Sequence, residues 1–260
     1  MRISIIGAGN MGGAIASGLA ISEEIRPQDI TVIDHSGKNV TRLKAIAQDM
    51  NIVVSEYDSL STADIIIIAV KPWLVEEVLN THKTLIKPNQ LMVSVAAIVT
   101  LEELIKWTSP EQPVFRVVPN TAIAVRQSMT YISSANVNEQ QRQQISDIFA
   151  LLGKVENVDQ KIIPAITSLT SCGIAFALRY IRAASEGGVE MGIYPEQAKN
   201  AVLQTLRGAI ELLEATGNHP EHEIDKVTTP GGITIKGLNE MEHAGFTSSV
   251  IRGLKASNVK

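Results

Sequence analysis

The run Val227-Thr228-Thr229-Pro230-Gly231-Gly232-Ile233-Thr234-Ile235-Lys236-Gly237-Leu238 sets a Pro-Gly-Gly turn ahead of a hydroxyl, then opens into a helical pattern. Glycines carry no Cβ, so a ligand can come up against the backbone. N–H groups at a helix start hold anions, and a threonine hydroxyl both donates and accepts. Gly231, Gly232, Ile233 and Thr234 therefore form a candidate cradle for a small carboxylate. At the other end of the chain, Gly7-Ala8-Gly9-Asn10-Met11-Gly12 is a GxGxxG motif between an aliphatic run ending at Ile6 and a helical pattern over Met11–Leu19. The first glycine permits a tight turn, the second lets backbone approach a pyrophosphate, and the third lets helix and strand pack closely. In a strand–turn–helix setting this motif points to a dinucleotide. The two ends together suggest an oxidoreductase acting on a small acid.

Further cofactor candidates lie where other aliphatic runs end, because ligands of open α/β sheets sit just outside carboxyl strand ends. Asp34 closes the second run, about 20 residues past the glycine motif, where an acidic residue bonds a ribose 2′-hydroxyl and so favours NADH. Ser36, with His35 and Lys38, follows directly and could meet the 2′-phosphate of NADPH, so the cofactor stays open between the two. Ala69-Val70-Lys71-Pro72 closes a third run. Ser94-Val95-Ala96-Ala97 ends a fourth in small residues that leave room for a cofactor, and Pro119-Asn120-Thr121 follows a fifth.

The elements that must position these residues are legible as periodicity. Strands are expected at Arg2–Ile6, Ile30–Asp34, Ile52–Ser55, Ile65–Val70, Leu91–Ser94 and Val114–Val118, with Met129–Ile132 and Lys154–Val158 as additions. Helices are expected at Met11–Leu19, Val40–Met50, Leu74–Asn80, Leu101–Trp107 and Glu139–Leu152. Near-continuous Ile/Val strands alternating with amphipathic helices imply a parallel sheet covered on both faces, a Rossmann-type doubly wound α/β domain over residues 1–159. From residue 160 the strand punctuation ends. Ile162–Glu186, Glu196–Ala215, Ile233–Glu242 and Thr247–Ala256 read as helices of a separate all-α domain, residues 160–260. His219-Pro220-Glu221-His222 reads as a loop.

Composition narrows the class. The 260 residues carry a formal net charge of −4 with 45% hydrophobic content, and no run of one sign, so no nucleic-acid or membrane surface is expected. The longest purely aliphatic stretch, Ile65–Val70, is too short to span a bilayer. Residues 1–6 enter a strand without the layout of a secretion signal. One cysteine, Cys172, excludes an intramolecular disulfide framework and fits a reducing, cytoplasmic setting. Cys172 reads as a small buried hydrophobe, and Trp73 and Trp107 as packing residues at helix ends. His219 and His222 lack the further ligands a metal centre needs, so no metal is expected. Ile162–Ala184 is apolar enough to predict at least a dimer sharing these helices.

The chain resembles the pyrroline-5-carboxylate reductase family. The resemblance rests on GAGNMG at 7–12, AVKP at 69–72, VSVAA at 93–97, PNT at 119–121, Ser171-Cys172-Gly173-Ile174-Ala175-Phe176, Glu186-Gly187-Gly188-Val189-Glu190-Met191-Gly192 and PGGITIKGL at 230–238. It runs through essentially the whole chain, and the last element is the most specific. The resemblance implies a C-terminal helical dimerisation domain and reduction of L-Δ1-pyrroline-5-carboxylate to L-proline with NADPH or NADH, NADPH being the family's commoner partner. It implies a homodimer or a higher assembly of dimers, with substrate at the dimer interface against the nicotinamide. Carried onto this chain, it gives Gly232 and Ile233 N–H groups and Thr234 as the carboxylate clamp, beside Gly231 and Ser171. Thr234 is also the catalytic candidate, near the ring nitrogen. Ile6, Gly7, Ala8, Gly9, Asn10, Met11, Gly12, Asp34, Ser36, Ala69, Val70, Lys71, Pro72 and Ala96 are the cofactor-binding set.

Departures from the family pattern bear on the shape of the substrate pocket. Cys172 stands where the family has a second serine, Ile174 where it has proline, and Phe176 where it has tyrosine. Ala122 stands for a frequent proline and Ile98 for a glycine. Hydride transfer to an imine needs orientation more than acid–base groups, so Thr234 is expected mainly to position, with water as proton source. Two other functions fit parts of the pattern. One is a dehydrogenase of the β-hydroxyacid type, or an imine reductase, on a different small carboxylate. The other is a reductase-like NAD(P)-binding regulator.

Overall fold

The computed structural model describes residues 1–258, and the chain divides into two compact units, Met1–Ser171 and a second beginning at Cys172. In the first unit eight strands form one sheet in the order β3-β2-β1-β4-β5-β6-β7-β8. These are β1 Ile3–Ile6, β2 Ile30–Asp34, β3 Asn51–Val54, β4 Ile65–Ile68, β5 Leu91–Ser94, β6 Val114–Val118, β7 Ser128–Ala135 and β8 Gly153–Asn157. The first six run parallel. β7 turns antiparallel to β6, and β8 runs parallel to β7. The order reverses at β1, whose Ile3–Ile6 pair with Ile30–Ile33 on one side and Ile65–Ile68 on the other. That places the glycine motif at the switch point where such sheets bind ligands.

The sheet is hydrophobic on both faces because successive side chains alternate. In β4, Ile65 and Ile67 join one core cluster with Ile15, Leu19 and Phe149, whereas Ile66 and Ile68 join another with Val75, Leu79 and Leu104. The covering helices are α1 Asn10–Ala20, α2 Val40–Lys44, α3 Val75–His82, α4 Leu101–Trp107 and α5 Glu139–Ala150. The two caps with full reciprocal geometry are Thr100 with Glu103 and Asn138 with Gln141, a device that satisfies helix-start donors.

Several expectations are corrected. The helix expected over Val40–Met50 ends at Lys44, whose Nζ donates to the carbonyls of Gln48 and Met50 and turns the chain back toward β3. The run expected as one helix from Ile162 is broken. A short α6, Ile163–Ile166, passes into a π-helical turn at Thr167–Cys172 before α7, Gly173–Glu190. Hydroxyls of Thr167, Ser168 and Thr170 there bond carbonyls four residues back, which competes with regular helix. Trp73 does not pack: it is 74% exposed. It sits on a 3-10 turn, Pro72–Leu74, none of whose residues is buried, whereas Trp107 packs against the core. Cys172 is half-buried rather than enclosed.

The second unit is helical: α7, α8 Pro195–Thr216, α9 Pro220–Val227, α10 Ile233–His243 and α11 Phe246–Ser257. The expected loop at residues 219–222 is instead the start of α9. His219 caps it through Nδ1, which accepts from Glu221 N–H at 3.3 Å, and Pro220 takes the first helical position, where its missing N–H costs nothing. A helical run from Gln160 to Glu190 is long and apolar enough to cross a membrane by length and composition.

Candidate active site

The glycine motif is built as its spacing requires. Gly7 adopts φ +104°, and a Cβ there would lie 2.7 Å from the Ala69 carbonyl oxygen. A Cβ on Gly12 would lie 2.0 Å from Gly7 O and 2.8 Å from Ala69 Cβ, so the third glycine is demanded by helix–strand contact. Gly9 differs. Its φ is −64°, open to any residue, and a Cβ would meet nothing within 4 Å. Among the described residues no contact demands glycine there, which leaves its fitness as an N-cap and the room it gives a ligand against the backbone. It is the N-cap of α1 and carries no side-chain cap, so the first-turn N–H groups are available to a phosphate.

The other expected cofactor residues lie around this turn. Ile6 and Gly7 line a cavity of about 400 Å³ with Ile33, His35, Val70 and Leu74. Ala69 N–H bonds Ile6 O at 2.8 Å, tying the β4 end to the motif. Asn10 is exposed, Met11 half-buried and Ala8 buried. Lys71 is exposed and Pro72 begins the 3-10 turn. Ser36 is exposed, with its Oγ accepting from Lys38 N–H at 3.4 Å. Asp34 is 5% exposed. Its Oδ2 accepts from the Asn39 N–H at 2.9 Å and from Asn39 Nδ2 at 3.4 Å, so one carboxylate oxygen is committed to the turn after β2.

Residues that periodicity did not single out complete the cavity. Tyr57 and His82 stack with ring centroids 3.6 Å apart, both lining it. Burial pushes the Tyr57 phenol up and the His82 imidazole down from their ordinary values. Ala96 is buried, and the adjacent Ala97 carbonyl accepts from Arg116 Nε at 3.1 Å and from its Nη2. Arg116 is 6% exposed. Burial lowers its proton affinity, while Glu102 and Glu103 act in the opposite direction. Ser171 stands in the π-helical turn and its Oγ donates to Pro119 O at 3.0 Å, tying that turn to the end of β6.

In the second unit Gly231 has φ +71°. Gly232 N–H closes the turn on Thr229 O at 2.9 Å, and a Cβ on Gly232 would meet Thr229 Oγ1 at 2.6 Å. The Gly232 N–H expected to clamp a carboxylate is therefore engaged in the turn itself. The open donors begin at Ile233, the first residue of α10, which has no side-chain cap. Ile233 projects its side chain into solvent at 88% exposure, and Thr234 is half-buried.

The chain has counterparts among known proteins. A family model described as "Pyrroline-5-carboxylate reductase dimerisation" matches residues 160–260, and one described as "NADP oxidoreductase coenzyme F420-dependent" matches residues 2–98. Pyrroline-5-carboxylate reductase 2 of Dictyostelium discoideum is 32% identical, over 100% of this chain and 91% of its own. The chain belongs to the pyrroline-5-carboxylate reductase family. Pyrroline-5-carboxylate reductase 1 of the same organism is 36% identical over 99% of this chain, which spans about half (49%) of that relative. The solved pyrroline carboxylate reductase of Plasmodium falciparum, with NADP bound, superposes with TM-score 0.91 at 28% identity, covering 99% of this chain and 95% of its own. The enzyme of Streptococcus pyogenes superposes with TM-score 0.86.

Proposed function

We propose that this member of the family reduces L-Δ1-pyrroline-5-carboxylate to L-proline, the last step of proline biosynthesis, with NADPH preferred over NADH. The observation that carries the reading is the uncapped start of α10, where a glycine turn presents N–H groups beside the Thr234 hydroxyl. Charge-assisted hydrogen bonds from such donors are short and directional, so they fix one face of a small cyclic acid. A bound nicotinamide supplies the hydride. Thr234 would orient the ring for that transfer, with water as the source of the proton that the imine nitrogen takes. The open space beside Gly9 and the residues around Gly7, Ala69 and Val70 support a dinucleotide at the first unit. The committed oxygen of Asp34 and the exposed His35, Ser36 and Lys38 support acceptance of a 2′-phosphate.

The same reading makes the protein a homodimer at least. Leu178 and Ile210 are each 58% exposed, Leu212 is 55% exposed and Ile251 52%. Exposed aliphatic side chains on α7, α8 and α11 suit an interaction face, and a second copy covers them. The apolar run from Gln160 to Glu190 is then subunit surface rather than a membrane span, and the enzyme works in the cytoplasm. Purified protein with pyrroline-5-carboxylate should consume NADPH absorbance faster than NADH absorbance. Tight cofactor binding without turnover would instead favour the regulatory reading, and a concentration-independent monomer by sedimentation would remove the homodimer.

A further inference from the structure

The glycine motif is followed by a fourth glycine, Gly13, that its spacing does not require. A Cβ on Gly13 would lie 2.5 Å from Arg42 Nη2, with Ala8 O at 3.0 Å. The missing side chain thus makes room for the guanidinium of Arg42, which projects from α2. Arg42 Nη2 donates to Ala8 O at 3.1 Å, inside the GxGxxG turn, and to Asn39 Oδ1 at 3.4 Å. Asn39 in turn donates its backbone N–H and its side-chain amide to Asp34 Oδ2. One connected path of side chains therefore joins the turn after β1 to the carboxylate that ends β2.

We infer that Arg42 is a positioning residue for the dinucleotide, acting through Ala8 and Asn39, and that Gly13 is its obligatory partner. This role rests on the proposed cofactor site at the glycine turn. A peptide group is planar and trans, so a guanidinium that holds the Ala8 carbonyl points the Gly9 N–H the opposite way. That N–H belongs to Gly9, whose absent side chain, unlike those of Gly7, Gly12 and Gly13, leaves open space. The same guanidinium steadies Asn39, and Asn39 sets the direction of the Asp34 carboxylate. Arg42 thereby holds the phosphate-binding and ribose-binding parts in one geometry without touching the reacting atoms.

The pair permits a sharp test, because the atom that a Gly13 side chain would meet first is the far end of a flexible chain. Gly13→Ala should expel the guanidinium and keep the fold, since alanine suits a helix interior better than glycine and the Ala8 carbonyl, 3.0 Å from the new Cβ, has to give by only a few tenths of an ångström. Steady-state kinetics with NADPH should show about a tenfold rise in KM for Arg42→Ala, with kcat within about twofold, and partial recovery in Arg42→Lys. Gly13→Ala alone should raise KM similarly while leaving the apo-protein melting temperature unchanged or higher. In the Arg42→Ala background Gly13→Ala should add little, since the guanidinium it displaces is gone and only the contact with the Ala8 carbonyl remains. Additive effects, an unaffected KM in Gly13→Ala, or a loss in kcat at constant KM would overturn the role of Arg42. Absence of NADPH and NADH binding in the unmodified protein would instead overturn the cofactor site itself, and this role with it.

Discussion

Gly9→Ala separates a glycine kept for a ligand from glycines kept for the fold. The added Cβ meets no atom within 4 Å and φ is −64°, so the folded protein accepts it without strain. Two opposing terms set its stability. Alanine is a poorer N-cap than glycine by about 1 kcal/mol, while a less flexible unfolded chain returns about 0.4–1 kcal/mol. The sum is close to zero, and apo-protein unfolding should move by no more than about 2–4 °C. Cofactor affinity should fall at least about tenfold, equivalent to about 1.4 kcal/mol, because the methyl group enters the space next to the donor N–H groups. Gly12→Ala is the internal contrast. Its Cβ would sit 2.0 Å from Gly7 O, an overlap that requires backbone movement and costs roughly 1–3 kcal/mol or more. Thermal unfolding of both apo variants, paired with titration of NADPH followed by its fluorescence, reads the two quantities independently. Normal NADPH affinity in Gly9→Ala would refute the reasoning, since the glycine would then serve no ligand.

Thr234→Ala should lower kcat/KM for pyrroline-5-carboxylate by roughly ten- to a hundredfold, the range of one hydrogen bond to a charged group, with NADPH affinity unchanged. Equal turnover in that variant would remove Thr234 from the site. Arg116→Ala leaves the half-buried Ala97 carbonyl without its charged donor and should destabilise the protein by about 1.5–3 kcal/mol in urea unfolding, the range of a hydrogen bond to a charged group. Burial holds the His82 imidazole below its ordinary value of 6.5, so below that pH the unfolded chain binds this proton more readily than the folded one. Its contribution is complete above about pH 6.5 and is lost as pH falls toward the lower folded value. His82→Gln should flatten the decline in melting temperature between about pH 7.5 and about pH 5.5. A parallel decline in both proteins would count against that assignment.

Much of this molecule is determined by short-range pattern. Four isoleucines in a row at 65–68, bounded by turn residues, can be satisfied only by a strand covered on both sides. The turns at Gly7 and at Pro230-Gly231-Gly232 are legible locally, since Gly7 and Gly231 take positive φ. Helix boundaries were less legible where side chains rather than periodicity decide them. The Lys44 ammonium ends α2, a histidine cap starts α9, and hydroxyls of the 167–172 turn divide a run that composition presents as continuous.

Partners distant in sequence meet only when the chain folds. The reversal of β7 is set by pairing with β6, not by its own residues. The stacking of Tyr57 on His82, the grip of Arg116 on Ala97 and of Arg42 on Ala8 join residues 19 to 34 positions apart. No local period encodes such pairs. Glycine shows the division most clearly, because the sequence prints the same residue at 7, 9, 12 and 13. Space around each absent Cβ then assigns them different reasons: a strand end, an open ligand side, a helix packed on the sheet and a guanidinium. Residue type is a local property, whereas the space it must leave free is a property of everything folded around it.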